Sequence, residues 1–170
     1  LRGVRIGSMG YRDMRLYGTM HDGVSLRAKI GPEVECFEML EMVQAMERLD
    51  PAEVNELCEA LPTHWHFTKP PQPQTLENTA KLYLALKQKV RERGYEAVTW
   101  VDVDGVKKLL GFAPAGVAML LSENEGVCTV PENDILGAVA QLMTRYLTGQ
   151  VGAYMEFYEF LEDGALMGVP

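Results

Sequence analysis

Apolar residues along the chain fall into short blocks separated by polar turns, and the blocks alternate between strand-like and helix-like spacing. Apolar runs at Val4–Ser8, Val34–Phe37, Ala97–Val101 and Gly126–Val130 predict strands. Ala97–Val101 lacks strict alternation, as expected of a strand buried on both sides. An irregular then helical stretch leads to Ile30, and helices are predicted at Met39–Arg48, Pro51–Ala60 and Thr75–Arg93. Pro51 after Asp50 is a helix start signal, and Gly94 closes the longest helix. Lys69–Gln74, with three prolines in six residues, reads as an extended connector.

Beyond Val130 the pattern predicts a helix capped by Asn133 or Asp134. Leu136, Val139, Ala140, Met143 and Leu147 recur on one face, and Gly149 stands at the C′ position. From Val151 to Tyr158 the period changes to two, which sets Tyr154, Glu156 and Tyr158 on one side of a strand, and Ala165–Val169 reads as another. The alternation of strand and helix predicts an α/β domain over residues 1–150, a parallel sheet flanked by helices of the Rossmann-like or flavodoxin-like kind. Residues 151–170 are expected to begin a further β-containing domain. The chain opens Leu1-Arg2-Gly3 without an initiator Met and stops inside a predicted strand, so a fragment of a longer protein is expected.

Composition narrows the choice of partner. Apolar residues make up 47% of the 170, enough for a real core. Sixteen basic against twenty-four acidic residues leave a net charge of −8, which argues against nucleic acid or an anionic membrane as partner. A neutral ligand meets no such barrier. Cys36, Cys58 and Cys128 are widely spaced, as expected of reduced cytoplasmic thiols, and no run of eighteen apolar residues is present.

The candidate chemistry centres on two carboxylates at element ends. Glu132, in Val130-Pro131-Glu132-Asn133-Asp134, sits at a strand-to-helix corner, the rim where ligands bind in open parallel sheets. Glu156 lies between two tyrosines on a strand, where burial alone would be costly, so it needs a cation, a donor or solvent. Acids before a helix also serve simply as caps and partners of its dipole.

The order Glu-x-Asp, a helix, then Met-Glu-x-Tyr resembles the metal-binding stretch of the L-fucose and L-arabinose isomerase family. The 24-residue separation of Glu132 and Glu156 suits the fucose isomerase branch. Gly10–Gly31 (GYRDMRLYGTMHDGVSLRAKIG) is similar to the segment Gly-x-x-Met-Arg, Gly-Asp, Ala-x-x-x-Gly near the start of the family's second domain. Tyr95–Gly116 is similar to its strand-plus-Leu-Pro-Gly region. This chain has His21-Asp22-Gly23 for Gly-Asp, and Pro114-Ala115-Gly116 for Pro-Gly.

The resemblance implies a cytoplasmic, homo-oligomeric aldose-ketose isomerase acting on a pentose or 6-deoxyhexose. It also implies Mn²⁺, or a similar divalent ion, held by two acids and a histidine. Glu132 and Glu156 match the two acids. The histidine has no match: where the arabinose branch carries it soon after the second acid, this chain has Met167-Gly168-Val169-Pro170, and the fucose branch carries it much further on. Moving a carbonyl between C1 and C2 needs a cation to stabilise an enediolate and a carboxylate to shuttle the proton, so one of Glu132 and Glu156, by preference Glu132, is also expected to act as base. The fragment alone is expected to be inactive. The alternative is a noncatalytic α/β module for ligand binding or assembly, with both glutamates structural.

Other residues carry weaker signals. Asp102 and Asp104 follow a central strand, where they are candidate partners for sugar hydroxyls or ordinary turn and cap residues. Arg12 and Arg15, the latter in the Met14-Arg15 motif, are candidates for a substrate contact or a subunit interface, with an exposed ion pair as the plainer alternative. His64-Trp65-His66 reads as a loop with two surface histidines before it reads as a metal site. Gly7-Ser8-Met9-Gly10 is a weak phosphate-loop hint.

Overall fold

A computed structural model describes residues 1–168. Four short strands, β1 (Arg5–Met9), β2 (Glu33–Phe37), β3 (Ala97–Trp100) and β4 (Cys128–Val130), form a parallel sheet in the order β2-β1-β3-β4. The predicted α/β class and parallel sheet are therefore what the chain adopts. Apart from Arg5 the central strands are buried: Ile6 and Met9 on β1, and Ala97, Val98 and Thr99 on β3, have no exposed surface. Such strands need cover on both faces, and the helices supply it.

Two apolar clusters sandwich the sheet. On one face Ile6, Ala97, Cys128 and Val130 meet Leu26 of α1 (Gly23–Lys29) and Ile135, Ala138, Val139 and Leu142 of α6 (Ile135–Thr148). On the other, Met9, Val98 and Trp100 meet α2 (Met39–Glu47), α3 (Pro51–His64), α4 (Pro73–Arg93) and α5 (Ala115–Glu125). α4 starts two residues before its expected first residue, because the last connector proline takes the first helical position, where its missing N–H is not needed. It ends at Gly94, whose φ of 66° is a left-handed cap. Likewise α3 runs through Pro62 to His64, past its expected end at Ala60.

Two corrections concern the residues around the candidate site. The apolar stripe Leu136, Ala140, Met143 and Leu147 is the outer face of α6, with Leu147 84% exposed; the core face is Ile135, Ala138, Val139 and Leu142. α6 has apolar residues on nearly every side, so spacing alone did not select the face that meets the sheet. The strand expected from Val151 begins only at Glu156: residues 151–155 form an irregular connector, tied down where Gln141 Nε2 donates to the Gly152 carbonyl at 2.6 Å.

β5 (Glu156–Leu161) and β6 (Gly164–Gly168) then pair as an antiparallel hairpin, separate from the main sheet. The predicted end of that last strand, Val169, lies outside the described residues. Among the described residues no single helix is long and apolar enough to cross a membrane.

Candidate functional site

The chain leaves β1 toward β2 on one side and returns through β3 toward β4 on the other, so β1 and β3 flank the sheet's switch point. There the helices diverge, and the crevice above the strand ends is the usual ligand position in such sheets. In this chain part of that crevice is filled from within. Asp13, fully buried in the loop after β1, accepts hydrogen bonds from the N–H groups of Asp102 (3.0 Å), Val103 (2.6 Å) and Asp104 (2.8 Å).

Those amides open a π-helix, Asp102–Leu110. The Asp13 carboxylate thus occupies the helix N-terminus as a bound anion would.

Glu132 and Asn133 form the corner after β4, and both adopt left-handed backbone, φ 62° and 54°. Two consecutive non-glycine residues in that region are strained unless surrounding structure holds them. Asn133 supplies the hold: its Nδ2 donates to Ser8 Oγ (3.1 Å) and to the Met9 carbonyl (3.0 Å), stitching the corner to the end of β1. Of the two expected caps, Asp134 is the one used, its carboxylate accepting from Gly137 N–H at 2.9 Å. A Cβ at Gly137 would meet the capping carboxylate, so a larger residue there would displace the Asp134 side chain.

The corner holds Glu132 at 9% exposure among other acids. Burial raises its pKa above the usual carboxylate range, and the carboxylates of Glu156, Asp13 and Asp102 push the same way, opposed by Lys107. Glu156, at the first residue of β5, is thus brought near Glu132. Tyr154 joins them: its hydroxyl donates to Asp134 at 3.3 Å, and burial, Asp134 and Glu156 all raise its pKa.

The members of this acid cluster differ in their partners. Asp13 is committed to the π-helix amides, and Asp102, 2% exposed, is paired with Lys107 at 2.8 Å. Neither Glu132 nor Glu156 makes a side-chain hydrogen bond or ion pair among the described residues. No three His, Cys, Asp or Glu side chains among those residues gather as a metal group. Glu132 and Glu156 are therefore at most two of a metal's ligands here, a donor set of hard oxygens that needs completing.

The remaining candidates are engaged in different ways. Asp104 pairs with Lys108 at 2.5 Å, and Arg15, exposed at φ 59°, stands near enough to help hold its pKa down, after the larger effect of Lys108. Arg12 packs over the Tyr17 ring at 5.0 Å. His64 ends α3, its ring within hydrogen-bond reach of Thr63 and the Ala60 carbonyl, while Trp65 packs against the core. Sequence reasoning passed over Asp13, whose role depends on partners 89 to 91 residues away. A lone Asp after a strand carries no local sign of that.

A family model for the L-arabinose isomerase central domain matches residues 8–134. The chain belongs to that family. The matched stretch runs from β1 through the corner and ends at the cap of α6, so this arabinose isomerase central domain carries Asp13, Arg15, Asp102, Asp104 and Glu132 within the match and Glu156 beyond it. Membership makes the chain a sugar-isomerase domain and ties it to carbohydrate metabolism. No curated protein matches the chain.

Proposed function

We propose that the chain supplies part of the active site of a metal-dependent aldose-ketose isomerase acting on a pentose or 6-deoxyhexose, with the metal arrangement of the fucose isomerase branch. The observation that carries this reading is the pair Glu132 and Glu156, two neighbouring carboxylates without a protein partner among the described residues, beside two further acids that are already engaged. Carboxylates that feel one another's charge each gain energy, and a divalent cation relieves it.

In this reading Glu132 and Glu156 hold Mn²⁺ or a similar ion, and a histidine outside this chain's stretch completes the set. The cation, when bound, supplies positive charge to the sugar oxygens between which the double bond moves. In the aldose-to-ketose direction Glu132 takes the proton from C2 and returns it to C1 while the O2 hydroxyl proton passes to O1, so C1 becomes the alcohol carbon as C2 becomes the carbonyl. Glu132 is buried where Glu156 is only half-buried, so of the two it is the one shielded from exchange of the proton with water. Its held backbone keeps the carboxylate in place without reorganisation. Asp102, Asp104 and Arg15 line the rim as partners for sugar hydroxyls. The cytoplasm and a homo-oligomer are the proposed setting, and this stretch alone is proposed to be inactive.

Glu132→Gln in the intact enzyme tests the assignment. The expected result is loss of isomerisation by at least about a thousandfold, as when a general base and metal contact are removed together. An active variant would withdraw Glu132 from the chemistry.

A further inference from the structure

Among the described residues, the non-glycine positions with left-handed backbone fall in two loops at the strand ends. Met14 and Arg15 (φ 45° and 59°) follow β1, and Glu132 and Asn133 follow β4. Such residues are strained unless other groups hold them. Asn133 holds the second pair through its own side chain.

For the first pair the holding group is Asp13, whose carboxylate accepts two N–H groups on each oxygen. Those of Asp102 and Val103 reach Oδ2; those of Asp104 and, at 3.1 Å, Met14 reach Oδ1. Four donors without an acceptor call for an ionised side chain, because an asparagine would turn its own N–H groups toward two of them.

This carboxylate is more than a helix cap. Val101, at the capping position of the π-helix, makes no side-chain cap, although a short polar side chain there would provide one locally. The acceptor comes instead from the loop that bears Arg15, so a single group fixes that loop against the segment bearing Asp102 and Asp104. Asp102 carries the coupling on, since it pairs with Lys107 at 2.8 Å and its charge is felt at Glu132.

We propose that Asp13 is a positioning residue of the isomerase site, which sets Arg15, Asp102 and Asp104 in the places from which they meet the substrate. With no exposed surface, Asp13 itself is out of a substrate's reach. The link to substrate rests on the isomerase reading, whereas the coupling of the two segments rests on the four hydrogen bonds.

Steady-state kinetics of Asp13→Asn in the intact enzyme, with Mn²⁺ and either L-arabinose or L-fucose, tests the proposal. KM is expected to rise about tenfold, as for one misplaced hydrogen bond, while kcat changes less than about threefold. A merely structural Asp13 would lower the folded fraction, and with it the apparent kcat, without moving KM. Asp13→Ala is the second variant: formate should enter the vacated seat and restore KM saturably, where chloride at the same concentration does not.

An unchanged KM in the folded variants, or equal recovery with chloride, would overturn the proposal. Failure of both variants to fold would make Asp13 a folding residue and overturn it too. A wild-type enzyme that isomerises neither sugar would instead defeat the isomerase reading, and the coupling is then read from amide ¹H–¹⁵N spectra of Asp13→Asn. The Arg15 and Asp104 signals are expected to move together while those of β2 stay, and an unmoved Arg15 signal would overturn the coupling.

Discussion

Strands β1, β3 and β4 bury nearly every side chain they carry, whereas β5 and β6 expose nearly all of theirs, including Phe157, Tyr158, Phe160 and Leu161. Both regions are hydrogen-bonded β-structure, so backbone pairing does not separate them. What does is burial: the parallel sheet is covered by helices on two faces, while the hairpin contributes a pair of stacked phenylalanines at 5.2 Å and little else. A lone two-stranded hairpin is marginal in water. The two halves of the candidate site therefore differ in support, with Glu132 on a braced corner and Glu156 at the root of the hairpin.

The largest expected effect falls on the braced side. Asp13→Ala removes the acceptor of three amides at the π-helix start and should cost about 3–5 kcal/mol in denaturant unfolding. A loss below about 1 kcal/mol would mean the strand ends are held by something else. A smaller effect, opposite in sign, is expected at the corner itself. Glu132→Gly accommodates the left-handed backbone and removes a crowded charge, so stability should hold or rise by about 1 kcal/mol. Clear destabilisation would recast Glu132 as a structural acid.

The smallest effect is expected from the hairpin. A chain ending after Met155 should unfold within about 1 kcal/mol of the full chain, because nearly all of residues 156–168 are exposed. A larger drop would erase the contrast between the regions.

The same contrast explains what was legible in the sequence. β3 and α4 could be read from local signals, namely an unbroken apolar run and a helix bounded by proline and Gly94, because their neighbours in sequence determine them. The Glu132 corner was equally plain as a strand end before a cap. Three features depended on distant partners and escaped. Asp13 looks ordinary until residues 102–104 fold onto it; the buried face of α6 is chosen by the sheet; and the connector 151–155 is shaped by Gln141 instead of by its own alternating pattern. The π-helix belongs with these, since its first amides are satisfied by Asp13 and not by a residue of its own.

The central claim is that Glu132 and Glu156 hold one cation between them. Mn²⁺ titration of the intact protein, followed by electron paramagnetic resonance, tests it most directly. The account predicts one site per chain, weakened in both Glu132→Gln and Glu156→Gln by more than the roughly 10–100-fold that losing a ligand's supporting partner costs. Binding of unchanged strength in either variant would contradict it.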